Sequence, residues 1–245
     1  MTFAQVEVAP GVLVVTLPEA AMNAVLVVDD GEVLVVDVGA TPNRGAELRA
    51  LAERRGRVVA VVVTHPHWDH VFGLGAFADV PSHAHPAAID DLRDTGALQR
   101  DALVAQMAGE VPDWLRAFVP PLPTHPVAER LVLRVGGIDV VLDPVGHAHT
   151  VGDLVLHVPA RGVSVLGDLV EVGDPPQLHD ADLAGWVAAL DRLAPDLQPI
   201  VVPGHGDVTT PGSVAEQRDL LAAGLAHLRG EGPAPEGLDL TQLPG

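Results

Sequence analysis

The chain has 245 residues, of which 48% are hydrophobic and 19% charged. That mix supports a large buried core and excludes wholesale disorder. Asp and Glu number 33 against 14 basic residues, all of them arginine, for a formal net charge of −19. So much negative charge repels phosphate backbones and anionic lipid, which argues against nucleic acid and membrane surfaces as partners and leaves a small molecule as the expected one. Cysteine is absent, so disulfides, thiolate metal sites and a cysteine nucleophile are excluded, and tyrosine is absent too.

The opening MTFAQVEVAPG has no basic stretch of the kind that begins a secretion signal. The longest apolar runs, such as 58–63, fall far short of the ~20 residues of a membrane helix. A soluble cytoplasmic protein is the expectation, with oligomeric state left open. Residues 11–17 read as a strand. Residues 24–29 and 32–37 flank Asp30-Gly31 and read as a hairpin. Residues 42–55 carry apolar positions at helical spacing, with Thr41 as N-cap and Pro42 in the first turn. Residues 57–63 form a continuous apolar run, expected as a buried strand.

Residues 86–118 are patterned as helix and a proline-rich stretch follows to residue 126, so a helical insertion or lid is expected near residues 86–126. Strands resume at 131–135 and 138–142 around Gly136-Gly137, then at 154–158 and 163–166. A helix at 182–193, a strand at 200–202 and a helix over 214–228 complete the pattern. Residues 230–245, rich in Gly and Pro, are expected to be a loose tail. No change of composition marks a second domain, so one domain over 1–245 is expected. Strands followed by helices, given twice, predict two packed sheets with helices outside.

The chemistry concentrates in His65-X-His67-X-Asp69-His70, four ligand-type side chains in six residues. In an extended chain, residues i and i+2 point the same way, and Pro66 biases His65 toward that conformation. His65 and His67 can therefore aim at one point, and the following turn can bring Asp69 and His70 to a neighbouring one. Imidazole and carboxylate suit a borderline divalent metal such as zinc. His149, Asp168 and His205 stand downstream, each at or just beyond a strand end, the last two beside glycines that permit tight turns.

Thr64-His65-Pro66-His67-Trp68-Asp69-His70, Gly146-His147-Ala148-His149-Thr150, Leu166-Gly167-Asp168 and Pro203-Gly204-His205-Gly206 resemble the successive metal motifs of the metallo-β-lactamase superfamily of hydrolases. The strand ending Val35-Val36-Asp37-Val38-Gly39 resembles its first sheet, and the likeness runs in order from about residue 23 to residue 206. The resemblance implies an α+β fold, a four-layer αββα sandwich with the site at one edge. It implies two Zn²⁺ per chain, with Fe²⁺ or Mn²⁺ as other occupants. Carried over by position, His65, His67 and His149 bind one metal, Asp69, His70 and His205 the second, and Asp168 bridges them. His149 takes the ligand role over His147 because His-Thr-X-Gly-Asp is the family's form of that motif. His147 is then a neighbour of the metal or substrate, and Asp37 orients a ligand histidine.

The activity so implied is metal-dependent hydrolysis. A hydroxide held by two zinc ions cleaves a small-molecule lactone, ester, thioester or amide, with Asp69 and Asp168 as the catalytic carboxylates and Asp69 also able to accept a proton. Several branches of the family fit less well. The missing leader argues against a secreted β-lactamase. The missing helical C-terminal domain and the negative charge argue against a glutathione thioesterase of the glyoxalase type, the missing Tyr against the common acyl-homoserine lactonases, and the charge against nucleases. The alternatives are a mononuclear iron dioxygenase acting on a thiol or persulfide, for which His70 and His205 are dispensable, and a biosynthetic enzyme of the same fold. Trp68, Met107, Trp114 and Phe118 are candidates for an apolar substrate wall, with helix or loop packing as their other role, and His179 is a candidate donor to an oxyanion.

Overall fold

Strands buried along most of their length build two sheets. The computed structural model describes residues 3–106 and 113–244, without the side chains of Gln106, Asp113 and Trp114. The first sheet carries seven strands side by side in chain order: β1 (Ala4–Ala9), β2 (Val12–Thr16), β3 (Asn23–Asp29), β4 (Glu32–Val36), β5 (Arg57–Val62), β6 (Ser82–Ala84) and β7 (His125–Pro126). Strands β1 to β4 are antiparallel, and β4 to β7 run parallel. The second sheet holds β8 (Leu131–Val135), β9 (Ile138–Gly146), β10 (Asp153–Val158), β11 (Val163–Glu171) and β12 (Ile200–His205) in reverse chain order. It is an antiparallel meander closed by a parallel β11–β12 pair.

Both faces of the central strands are buried, which is why they read as unbroken apolar runs. In β3, Val25 and Val27 enter the layer between the sheets, where they join Leu34 and Val36 and meet Leu142, Leu154 and Leu156. Ala24 and Leu26 share the other face with Leu48, Leu51 and Ala52 of helix α1 (Pro42–Glu53) and with Phe72 and Phe77. Thr41 caps α1, its hydroxyl accepting the Arg44 N–H at 3.1 Å. On the far side, Val155 and Leu166 pack under α5 (Leu183–Leu193) and α6 (Pro211–Leu228) through Trp186, Leu190 and Leu221. The Trp186 indole N–H donates to Leu169 O at 3.1 Å, so the largest buried side chain is also polar-satisfied. The layers run helix, sheet, sheet, helix, the αββα sandwich expected from the sequence.

Three local expectations need correction. Strand β1 departs from the expectation: its Gln5 and Glu7 interrupt the apolar pattern because no residue of this edge strand is fully buried. The 86–126 insertion is not helical throughout. Helices α3 (Pro86–Gln106) and α4 (Asp113–Ala117) give way to β7, which extends the first sheet as the Thr124 N–H donates to Ser82 O at 2.9 Å. Strands of two or three residues are too short to show a period. Within 230–245 the tail is anchored, because Leu238 is buried against the α5–α6 layer and the Leu178 N–H donates to Gln242 Oε1 at 3.1 Å. No helix among the described residues is long and apolar enough to cross a membrane.

The site lies at the edge where β4, β5, β11 and β12 end. The sheets are tied there by Leu154 N–H to Thr64 O at 2.8 Å and by the Asn23 amide to Gly206 O at 2.8 Å. Helix α1 approaches the turn after α2 (Trp68–Val71) so closely that a Cβ on Gly45 would lie 2.1 Å from Gly73 O. Alanine for glycine within a helix ordinarily gains about 1 kcal/mol. Here Gly45→Ala is expected to destabilise instead, by ~1–3 kcal/mol, as overpacking does. An unchanged or raised urea midpoint would contradict this packing.

Candidate metal centre

Asp37 directly follows β4, and its left-handed backbone (φ 56°) turns a buried carboxylate under the neighbouring strand end. Asp tolerates that conformation better than most side chains. Asp37 Oδ1 accepts the Thr64 N–H at 2.8 Å, and Oδ2 accepts both the Thr64 hydroxyl and His70 Nδ1–H at 2.8 Å. Because the Thr64 proton goes to Asp37, its oxygen is left to accept from His65 Nδ1, 3.0 Å away. One carboxylate thus turns Nε2 of both His65 and His70 inward. His205 Nδ1–H donates to Ala20 O at 2.9 Å, which leaves its Nε2 facing the same point. His67 is reversed: its Nε2 bonds Asp180 Oδ2 at 3.0 Å and its Nδ1 lies 3.2 Å from His149 Nε2.

Ligand atoms of His65, His67, His149 and Asp168 lie within 4.8 Å of one another, as do those of Asp69, His70 and His205. Asp168 reaches both groups. Its Oδ2 stands 3.6 Å from His65, 3.7 Å from His149 and 3.4 Å from His205, and its Oδ1 stands 3.3 Å from His70. In the second group His205 Nε2 is 3.3 Å from both His70 Nε2 and Asp69 Oδ2. Gly204 makes room for this, since a Cβ there would lie 1.7 Å from Asp168 Oδ1.

These spacings fit metal ions. Four ligands ~2.0–2.2 Å from one zinc stand roughly 3.3–3.6 Å apart along the tetrahedron's edges. Two of the buried atoms, His65 Nε2 and Asp168 Oδ1, have no hydrogen-bond partner, a state that burial penalises unless another group supplies the bond. Without metal the electrostatics are divided. Burial pushes His149 down to about 3 and His65 well below the usual histidine range. Burial also opposes the proton on His205 and His70, but the carboxylates beside them prevail. Asp168 and Asp69 push His205 up to about 10, and Asp168, Asp69 and Asp37 hold His70 well above its ordinary value. Burial works against the Asp168 charge and is outweighed by His70 and His65, so its carboxyl sits well below the usual range.

A cavity of about 620 Å³ opens over the cluster. Trp68 and, from α3, Gln99, Ala102 and Leu103 line it, together with Glu171 of β11 and Asp174, Pro175, Gln177, His179 and Asp180 from the segment that follows. Trp68 packs against the α1-side core as well as facing this space. His179 is on the wall. His147 is exposed, donates from Nε2 to Asp180 O at 3.0 Å, and lines an adjoining smaller cavity instead. Phe118 packs 5.0 Å from Phe72, away from the cavity wall, because the chain after α4 folds back onto the first core. Met107 and the Trp114 side chain lie outside the described residues. Thr64, Asp180 and Glu171 were missed from sequence. Thr64 adjoins the motif and signals itself only weakly, and a lone acid in a loop, such as Asp180, signals nothing.

A sequence model described as the metallo-beta-lactamase superfamily matches residues 18–205, from β2 to the last histidine of the cluster. The chain belongs to that superfamily. Among its relatives is a hydroxyacylglutathione hydrolase of Cereibacter sphaeroides (strain ATCC 17025 / ATH 2.4.3), 34% identical over 196 residues, which are 78% of this chain. The chain spans 65% of that relative's length, less than two thirds. A metallo-beta-lactamase type 2 of Bacillus sp. (strain 170) is 25% identical over 71% of the chain and 63% of its own. The fold matches crystal structures of DIM-1 metallo-beta-lactamase, one with a TM-score of 0.73 at 18% identity over 91% of this chain and 98% of that one.

Asp37→Ala is expected to weaken metal binding ~10–100-fold, as loss of a carboxylate behind a ligand histidine does, measured by chelator competition. Metal uptake at pH 7 displaces the proton that Asp168 and Asp69 hold on His205. Adding zinc to metal-free protein in weak buffer should therefore acidify the solution. The proton release from this group should fade as the pH passes about 10, where His205 is already neutral.

Proposed function

We propose that the chain is a hydrolase carrying two divalent metal ions, zinc being the ion its donors suit best, that cleaves an ester-type bond in a small, largely uncharged molecule. The donor spacing carries the reading: two adjoining sets at tetrahedral-edge separations, with Asp168 within reach of both. His65, His67 and His149 would hold one ion and Asp69, His70 and His205 the other. The close second set favours a metal pair over the single iron of a dioxygenase, for which it would have no use. When bound, the pair supplies Lewis acidity and lowers the pKa of water from 15.7 to roughly 7.

The chain's own residues supply the rest. Asp69 lines the cavity beside His205 and would receive a proton at its carboxylate. His179, which also lines the cavity, would donate to the developing oxyanion. Trp68, Ala102, Leu103 and Pro175 bound the cavity with apolar surface that excludes water from the reacting bond. Similarity to a hydroxyacylglutathione hydrolase supports a thioester among the candidate bonds. The cavity argues against glutathione itself as the carrier. Among the described residues that line it there is no arginine to meet glutathione's carboxylates, and Glu171, Asp174 and Asp180 stand there instead. Burial, followed by the charge of Asp168, pushes the Glu171 carboxyl up to about 7.

Protein purified without added metal should contain about two divalent ions per chain, read by elemental analysis. Chelation should abolish hydrolysis, and zinc should restore it. Asp69→Ala is expected to lower kcat/KM by ~10²–10⁴-fold. Activity that survives this substitution would favour the single-metal reading. Neutral thioesters should exceed hydroxyacylglutathione in kcat/KM by roughly tenfold or more, given the like-charge cost. The opposite preference would refute the substrate class and leave the hydrolase reading standing.

A further inference from the structure

The five histidines of the cluster are not held alike. The outward nitrogens of His65, His70 and His205 are fixed by Thr64, Asp37 and a main-chain carbonyl. His149 is locked by burial, its ring 5.2 Å from that of Trp186. His67 is the loosest. Its side chain is 24% exposed, against 2%, 0%, 17% and 2% for His65, His70, His205 and His149. The sole side-chain bond recorded to its outward nitrogen, among the described residues, comes from Asp180 at 3.0 Å. Asp180 stands on the loop after β11, the same loop that builds a wall of the cavity. That loop is itself pinned to the His147–His149 turn, through His147 Nε2 to Asp180 O at 3.0 Å and the Asp182 N–H to Ala148 O at 3.0 Å.

We propose that Asp180 is the positioning residue of the three-histidine metal position, acting by accepting His67 Nε2–H so that His67 presents Nδ1 to the ion. The inference rests on the metal-pair reading above. A histidine can offer either nitrogen, and the bond made by the other decides which. An exposed ring without such a bond turns freely between its two presentations and loses the orientation that binding requires. Asp37 then serves both positions, through His70 directly and through Thr64 and His65, whereas Asp180 serves only that of His65, His67 and His149. A wall of the substrate cavity and the metal pair are thereby joined through one side chain.

Cobalt titration of the metal-free full-length chain tests this, because the visible absorption of Co²⁺ follows ligand number and geometry and the two positions differ in donor set. In the wild type two ions enter. In Asp180→Ala the affinity of one position is expected to fall ~10–100-fold with altered absorption, while the other fills as in the wild type. Asp37→Ala should weaken both positions, so that a loss confined to one marks Asp180. Asp180→Asn keeps the shape and an acceptor oxygen but not the charge, so its loss should lie between wild type and Asp180→Ala, whereas a purely steric role would leave it at wild type. The main-chain bond to His147 survives in both Asp180 variants, and circular dichroism checks the fold. Asp180→Ala that titrates as wild type, or that weakens both positions equally, overturns the proposal while the metal pair stands. A wild-type chain that takes up no cobalt overturns both.

Discussion

A single buried carboxylate, Asp37, carries the strictest constraint in the molecule. Its oxygens are buried, and burial makes an unpartnered polar atom expensive, so they must be met by donors. It is met by three: the Thr64 N–H, the Thr64 hydroxyl and His70 Nδ1. Each of those bonds settles something further out. The hydroxyl bond decides which way the Thr64 lone pair faces and so how His65 is held, and the bond to His70 decides which nitrogen it turns inward. A donor cluster that could adopt many protonation patterns is reduced to a narrow set by a residue that does not belong to it.

The fold makes that constraint possible. Parallel neighbours β4 and β5 end side by side, so Asp37 and Thr64, 27 residues apart in the chain, stand within hydrogen-bond reach. β11 and β12 are also parallel neighbours, and they bring Asp168, within β11, beside His205, the last residue of β12. The sandwich then sets these two pairs of strand ends against each other, and apolar layers on three levels keep them there. What varies is built on top, as α3 and the loop after β11 wall the cavity. The rigid part of the site thus comes from sheet ends and the selective part from the segments between them, a division common to folds whose loops carry function.

The strong negative charge of the chain also takes on meaning at this edge. Two carboxylates stand in the cluster and three more on the cavity wall, where dications would offset them. Without metal the cluster instead holds protons on His70 and His205 while His65 and His149 stay neutral, a division set by which rings the carboxylates touch.

The sequence by itself determined the layers and named the seven candidate donors that the fold gathers. Short continuous apolar runs bounded by turn residues read as strands buried on both faces, and histidine and aspartate are the side chains a borderline divalent metal takes. The shortest elements were invisible to it, since β6 and β7 hold too few residues to show a period and pair only because β5 offers them an edge. So was the apparent looseness of the C-terminal segment, where composition says coil and Leu238 finds a pocket. Trp68 faces core and cavity at once, which no pattern could separate. Tertiary structure alone decided the supporting bonds. Asp180 lies 113 residues from His67, and nothing local distinguishes it from any exposed acid. Ligands are legible because metal chemistry restricts their types and spacing. The residues that aim them are not, because any acceptor that the fold carries to the right nitrogen will serve.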